Sequence, residues 1–310
     1  MRVVMTGGSG LIGSALVRSL AADGHDVIVL SRAPELMTGL PGGVRAERWD
    51  GKTAEGWAAL ADGADAIVNL AGESIAGSGI LEILFGRWTA ARKRAIRDSR
   101  RDAGLAIVDA VQRAVHKPKV VIQSSAVGYY GVTRDARCAE ADAPGSDYLA
   151  SVCVDWESST APIEAMGVRR VITRTGVVQT PSGGILSMLL LPYRLFVGGR
   201  LGSGRQWYPW IHIEDEVSAI RFLIDQPQAR GPFNLTAPHQ LRNSEVATVI
   251  ARTLRRPAWL PIPGFALRAL LAEKSILVLE GQLAPPDRLL SLGFVFRHPQ
   301  FEGALRDLLA

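Results

Sequence analysis

The sequence predicts an α/β fold, a doubly wound parallel sheet with a smaller C-terminal region on its substrate side. Three observations predict it. Short apolar runs rich in Val and Ile alternate with longer helical patterns through the first half of the chain. A glycine-rich turn follows the first of those runs directly and opens a helix. After about Val178 the texture changes to glycine-punctuated loops and then to an apolar, proline-interrupted tail.

The elements follow in order. Arg2 to Met5 reads as a strand, Leu11 to Asp23 as a helix and His25 to Leu30 as a second strand. Asp65 to Leu70, Val120 to Gln123 and Arg170 to Thr173 read as further strands. Each is short and continuously apolar rather than alternating, as strands buried on both faces of a parallel sheet are. Helices are expected at Ala90 to Val115 and Tyr148 to Met166. Ser182-Gly183-Gly184, Gly198-Gly199 and Gly202-Ser203-Gly204 mark a loop-rich stretch. A helix over Glu216 to Asp225 follows, with Asp215 as its expected N-cap. Gly231 to Leu235 reads as a late strand, Asn243 to Leu254 as a helix, and Trp259 to Ala310 as a mostly helical tail. This divides the chain into residues 1–180, to which 205–235 would return, and a smaller region over 181–310.

Composition narrows the classes. The 310 residues are 47% hydrophobic and 21% charged, with a net charge of +5, which is ordinary globular composition. Two cysteines make no disulfide framework and fit a reducing, cytoplasmic setting. The best candidate for a bilayer span, Leu186 to Val197, is too short and is interrupted by Pro192 and Arg194. The apolar run after Arg2 stops at Thr6 and reads as a strand rather than a signal peptide. No nucleic-acid module is recognisable, so neither nucleic acid nor membrane is expected as a partner; a homodimer stands as an open expectation.

Gly7, Gly10 and Gly13 in Thr6-Gly7-Gly8-Ser9-Gly10-Leu11-Ile12-Gly13 form a GxxGxxG pattern between strand and helix. Glycine there permits the tight turn, close approach to a pyrophosphate, and packing of helix on strand. The helix N-terminus then presents free N–H groups and a positive dipole end. This is the dinucleotide-binding loop of a Rossmann unit. The second strand ends at Leu30-Ser31-Arg32, where an NAD-specific site usually carries Asp or Glu. A guanidinium and a hydroxyl suit a 2′-phosphate instead, which predicts NADP(H).

These motifs, with Asn69-Leu70-Ala71-Gly72-Glu73 and Ser124-Ser125-Ala126-Val127-Gly128-Tyr129-Tyr130-Gly131, resemble the extended short-chain dehydrogenase/reductases. More narrowly the chain is similar to an atypical, epimerase-family (sugar-nucleotide-epimerase-like) branch with a C-terminal domain of unknown function. The segments Arg87-Trp88 through Ser99-Arg100, Gly202 to Ile213, and Pro257 to Leu309 carry that match. The resemblance implies that Ser9, Leu11 and Ile12 line the pyrophosphate. It implies that Asn69, Leu70 and Ala71 pass the adenosine and ribose side. Gly72, Glu73, Arg100 and Ser124 would border the cofactor or the substrate entrance, and Val178 the nicotinamide.

The family works through a Ser or Thr and a Tyr-x-x-x-Lys, whose lysine lowers a phenol pKa that is otherwise about 10. Tyr148 stands where the Tyr is expected, but Val152 stands at the Lys position, and no lysine lies between Lys119 and Lys274. The usual Ser position falls on Ala126, with Ser125 one residue away and therefore on the other face of the strand. Three readings remain. One is an NADP(H)-dependent oxidoreductase or epimerase with rearranged acid/base groups, acting on a small carbonyl or nucleotide-sugar-like molecule. Its candidates are Tyr148, Tyr129, Ser125 and Glu73, with Arg100 or Arg205 supplying charge to an anionic substrate. The others are a catalytically silent NADP(H) sensor and a regulatory interaction protein. Each candidate also has a plain structural reading: Tyr148 packed at a helix start, Tyr129 or Tyr130 in the core, Glu73 paired on a loop. In the run Arg87, Arg92, Lys93, Arg94, Arg97, Arg100 and Arg101, most charges suit a solvated face, and one or two could turn to phosphates. Arg205, Trp207, Tyr208 and Trp210 suit either a planar or phosphorylated ligand or a packed lid. His212 and Asp215 read as cap and packing rather than a dyad. Cys138 and Cys153 read as structural, and the dispersed histidines predict no metal.

Overall fold

The computed structural model describes residues 1–77, 80–181 and 183–310; Ser182 of the first expected glycine turn lies outside them. The strands are β1 (Arg2–Thr6), β2 (Asp26–Ser31), β3 (Val44–Arg48), β4 (Ala66–Asn69), β5 (Val120–Ala126), β6 (Arg169–Thr175), β7 (Val177–Gln179), β8 (Trp207–Tyr208), β9 (Trp210–His212), β10 (Gly231–Leu235) and β11 (Leu241–Arg242). The helices through residue 194 are α1 (Leu11–Ala22), α2 (Ile80–Phe85), α3 (Ala90–Arg113), α4 (Tyr148–Ser158), α5 (Pro162–Ala165) and α6 (Leu186–Arg194). Beyond it come α7 (Ile213–Asp225), α8 (Asn243–Leu254), α9 (Gly264–Leu271), α10 (Ile276–Leu279), α11 (Asp287–Ser291) and α12 (Phe301–Leu309).

Seven of the strands form one parallel sheet in the order β10-β6-β5-β4-β1-β2-β3. Chain order reverses between β1 and β4, which is the switch point where a doubly wound sheet opens a crevice. Alternate residues of the same strands enter opposite layers. Val3, Met5, Val27 and Val29 pack with α1 and α7 through Leu16, Leu20, Ile220 and Leu223. Val4, Ile28, Ile67 and Val121 pack with α3 and α5 through Ala103, Ile107, Val111 and Ile163. A third cluster joins α6, α8 and α12 through Leu190, Val246, Ile250, Phe301 and Leu305. Among the described residues no helix is long and apolar enough to cross a membrane.

The expected elements form, together with α2, α6 and the short strands β7, β8, β9 and β11, which were not expected, and four further differences. β3 was not expected. Its sequence, Val-Arg-Ala-Glu-Arg, is polar because it is an edge strand paired only to β2. The helix expected over Tyr148 to Met166 breaks after Ser158. The Ser159 and Thr160 hydroxyls donate back to the Trp156 and Glu157 carbonyls, and Pro162 starts a separate turn. α7 begins at Ile213 rather than Glu216, and Asp215 is not its cap. His212 caps it, Nδ1 accepting from the Glu214 N–H, while Asp215 in the first turn accepts the backbone N–H groups of Arg297 and His298 at 2.8 and 2.9 Å. The tail past Trp259 is four short helices separated by turns rather than a mostly helical run.

Candidate functional site

The crevice at the switch point is built around the glycine loop. A Cβ at Gly7 would lie 2.7 Å from the Leu70 carbonyl, and one at Gly13 2.2 Å from the Gly7 oxygen. Both contacts are with backbone, so no side chain fits. Gly10 caps α1 without a side-chain bond, and the first helical bond runs from Ser14 N–H to the Gly10 carbonyl. The N–H groups of Leu11, Ile12 and Gly13 therefore stand outside the helical ladder and face the end of the sheet. Ser9 is exposed beside them. This is the geometry that seats a pyrophosphate.

Asn69 holds the crevice open by tying three strands together. Its Oδ1 accepts from Thr6 Oγ1 at 2.7 Å, and its Nδ2 donates to Gln123 at 2.9 Å. Leu70 and Ala71 continue along the wall, the Ala71 N–H donating to Thr6 Oγ1. Ser124 is buried on β5, and Val178 lies on β7 beside Ile211. At the end of β2, Ser31 accepts the Ala33 N–H. Arg32 is exposed, and no hydrogen bond or ion pair among the described residues engages its guanidinium. Neighbouring Arg48 is already paired with Glu35 at 2.7 Å.

A cavity of about 220 Å³ opens beyond the C-terminal ends of β5 and β6. Its walls are Ala126 and Val127, then Thr175, Gly176 and Val177, then an apolar stripe of α4. That stripe is Leu149, Val152, Cys153 and Trp156, at the i, i+3, i+4, i+7 spacing of one helix face. Trp207, Tyr208 and α10 close the opposite side. Four residues lining the cavity each carry a buried polar atom with no partner: Arg100 Nε, Trp156 Nε1, Gln206 Oε1 and Trp207 Nε1. Arg100 spends Nη1 on the Ile96 and Glu73 carbonyls and lies over the Trp156 ring. Burial lowers its pKa, and no carboxylate pairs with it directly. Gly72 is what lets it lie there, since a Cβ would meet the guanidinium carbon at 3.0 Å.

The four acid/base candidates are engaged elsewhere. Tyr148 is off the α4 stripe; its hydroxyl donates to the Lys93 carbonyl at 2.9 Å, and its ring meets Trp88 edge-on. Burial raises its pKa, against the pull of Arg97 and Arg100, further from neutrality. Ser125 donates to Glu157 at 2.7 Å. Glu157 in turn pairs with Arg174, and the Arg174 guanidinium stacks 3.4 Å over the Tyr129 ring. Tyr130, pushed up to about 12 by burial, donates to Asn234. Glu73 pairs with Arg92 at 2.8 Å. Of the basic run only Arg100 turns inward; Lys93, Arg97 and Arg101 pair with Glu273, Asp155 and Asp102. Arg205 is exposed and pairs loosely with Asp135. Trp210 is core, its indole donating to the His239 carbonyl. Cys138 and Cys153 are unbridged and buried, Cys153 pushed up to about 12 by that burial.

His212 and Asp215 form no dyad. His212 stacks on His298, and with Asp307 the two place three ligand-type atoms within 4.8 Å. A metal would not fit there. Nδ1 of His212 accepts the α7 capping bond, so its proton sits on Nε2 and that nitrogen has no lone pair to give a metal.

One group escaped the sequence reading. Glu216 is fully buried behind the cavity wall, Oε1 bonded to Thr175 Oγ1 at 2.8 Å and Oε2 unpartnered. Burial pushes its carboxyl up to about 8, so it holds a proton at neutral pH. The signal was available: Glu216 shares a helical stripe with Ile220 and Leu223 at i, i+4 and i+7.

Residues 3–236 match the model of the NAD dependent epimerase/dehydratase family, and residues 262–308 match a domain of unknown function, DUF1731. Epimerase family protein YfhF of Bacillus subtilis is 37% identical over 320 residues, covering 100% of this chain and 98% of its own. The chloroplastic SDR39U1 homolog of Arabidopsis thaliana is 38% identical, covering 100% and 87%. Among solved structures, human epimerase family protein SDR39U1 (isoform 2) with NADPH superposes with a TM-score of 0.86 at 31% identity, over 99% of both chains.

Proposed function

Since this chain belongs to the NAD dependent epimerase/dehydratase family, we propose that it is an NADP(H)-dependent oxidoreductase acting on a small, largely apolar carbonyl compound. The observation that carries the reading is one cavity whose lining residues Arg100, Trp156, Gln206 and Trp207 each keep a buried polar atom without a partner. Buried polar groups are normally satisfied, so four orphans on residues around one space are donors and acceptors left over for a ligand once those side chains turn to it. Three are donors, from Arg100, Trp156 and Trp207, which suits a carbonyl or carboxamide oxygen. Most of the remaining wall is hydrocarbon, from residues such as Leu149, Val152, Leu189 and Leu277, with Asp147, Asn243, Glu280 and Gln282 also lining it. At about 220 Å³ the cavity is smaller than a drug-sized pocket of roughly 300–1,000 Å³, which suits a small carbonyl compound.

The backbone cradle at Gly7 and Gly13 and the free N–H groups of α1 fit the cofactor's pyrophosphate, and the unpaired Arg32 fits a 2′-phosphate. NADPH bound to the SDR39U1 structure supports the same choice. When bound, the cofactor supplies or accepts a hydride. Arg100 and the two indoles orient the carbonyl. With Tyr148 turned away and no lysine at Val152, Glu216 supplies a protonated carboxyl behind the cavity wall, which would reach the cavity through the Thr175 hydroxyl. A second reading, a cofactor sensor without turnover, is favoured by the engagement of Ser125, Tyr129, Tyr148 and Glu73 in structural contacts.

Titration of nucleotide-stripped protein with NADPH, NADP⁺, NADH and NAD⁺, followed by NADPH oxidation against panels of apolar aldehydes, quinones and nucleotide sugars, separates these. Selective binding of the phosphorylated forms with turnover of an apolar carbonyl is expected. Turnover confined to nucleotide sugars refutes the substrate class, and tight binding with no turnover in either panel establishes the sensor. Arg32→Ala should weaken NADPH roughly tenfold or more, as a lost charge-assisted contact does, and leave NADH unchanged.

A further inference from the structure

Two stretches of this chain carry no acidic residue at all: Gly183 to Ile213, and Val246 to Ala272. Between them they hold seven arginines: Arg194, Arg200, Arg205, Arg252, Arg255, Arg256 and Arg268. The fold brings the two stretches side by side. The Leu260 N–H donates to the Gly198 carbonyl at 3.1 Å and the Ile262 N–H to Arg200 at 3.0 Å. Trp259 Nε1 donates to the Phe196 carbonyl at 3.0 Å, and the Arg256 guanidinium lies 4.4 Å over the Phe196 ring. The loop after α6 and the loop after α8 are thus one ridge.

The tip of that ridge is apolar and uncovered. Leu191, Leu195, Phe196, Val197, Trp259 and Leu260 are all exposed, Leu195 and Trp259 to more than 60%. Phe196 is held at φ 63°, a left-handed backbone an aromatic side chain seldom adopts, with half of its surface still in solvent. The core gains little from it. Arg194, Arg255 and Arg256 are exposed around the tip, and none of the three pairs with a carboxylate among the described residues. A contiguous apolar surface of this kind marks an interaction site.

From this juxtaposition we infer that the 191–197/259–260 ridge docks the protein on an anionic lipid surface. Leucine, phenylalanine and tryptophan suit the boundary between headgroups and acyl chains, and arginines at the rim reach lipid phosphates. The charge pattern selects this occupant. A second copy of the chain across a two-fold axis would set arginine against arginine with no acid to offset them. A nucleic acid would leave Leu191, Leu195, Val197 and Leu260 against phosphates. The docking is peripheral and does not depend on the reading of the nucleotide site.

The test is cosedimentation of the full chain with phosphatidylcholine vesicles, with and without phosphatidylglycerol at about one part in three. Binding that requires phosphatidylglycerol and weakens with salt is expected. Reversing two rim charges, Arg255→Glu with Arg256→Glu, should weaken it about tenfold or more, since each basic residue contributes roughly fivefold at such a surface. Leu195→Ser should weaken it as well, and because Leu195 is 62% exposed the thermal midpoint of that variant should stay at the wild-type value. Absence of vesicle binding overturns the inference. So does binding equal with and without phosphatidylglycerol, self-association abolished by the same variants, or retention of a nucleic acid that competes with vesicles.

Discussion

Replacing Glu216 by Gln should change how stability depends on pH more than any other single substitution at the cavity wall. The carboxyl is 0% exposed, has one partner, the Thr175 hydroxyl, and no charge near enough to hold it ionised. Its folded pKa is about 8 against an ordinary 4.5. The sign follows from proton uptake. Below pH 4.5 both states hold the proton and burial of the neutral acid costs nothing extra. As pH rises from 4.5 to 8 the unfolded chain releases it while the folded one retains it, so stability falls. Each pH unit is worth about 1.4 kcal/mol, so the interval of 3.5 units (8 minus 4.5) gives a ceiling of about 5 kcal/mol, and about 3 by pH 7. Gln keeps the shape and cannot ionise. The assay is denaturant unfolding of both proteins at several pH values between 4.5 and 8.5. The difference between them should grow with pH in favour of the variant, which cancels the titration of His212 and other common groups. Parallel curves would refute the reasoning and mean that water or a cation reaches the carboxylate.

Gly13→Ala puts a Cβ 2.2 Å from the Gly7 oxygen and 2.7 Å from the Gly8 Cα; it should cost about 1–3 kcal/mol in unfolding experiments and abolish dinucleotide binding by titration. Tyr148→Phe removes one hydroxyl bond to the Lys93 carbonyl and should cost about 1 kcal/mol, with NADPH affinity unchanged; a turnover loss of a hundredfold or more would instead place the phenol in the chemistry. Glu157→Gln leaves the Arg174 guanidinium buried without its carboxylate, while the amide oxygen can still accept the Ser125 hydroxyl; a loss of about 3 kcal/mol or more is expected by denaturant unfolding, and a loss under 1 would mean the guanidinium finds water.

Local regularities explain what was legible in the sequence. The order of β1, α1 and β2 followed from continuous apolar runs with a glycine turn between them, and the absence of a carboxylate at Ser31-Arg32 pointed to a phosphorylated cofactor. Gly7 and Gly13 were legible because their requirement lies in backbone contacts a few residues away, with Leu70 and Gly7. β3 was missed because an edge strand need not be apolar, and the α7 cap was misplaced because both His212 and Asp215 can accept an N–H.

The roles of single side chains at the cavity were decided by distance in space. Tyr148 stands at the expected position, yet a turn of helix places its hydroxyl on Lys93, 55 residues earlier, and gives the wall to Leu149 and Val152. Ser125 and Tyr129 are drawn into a network by Glu157 and Arg174, and Glu216 meets Thr175 from 41 residues away. Sequence by itself determined the fold class, the phosphate-binding loop and the missing lysine, because propensity, periodicity and residue identity act over a few positions. Tertiary structure alone decided which hydroxyls are free and which carboxyl keeps its proton, because both depend on burial and on partners that the chain brings together only when it folds.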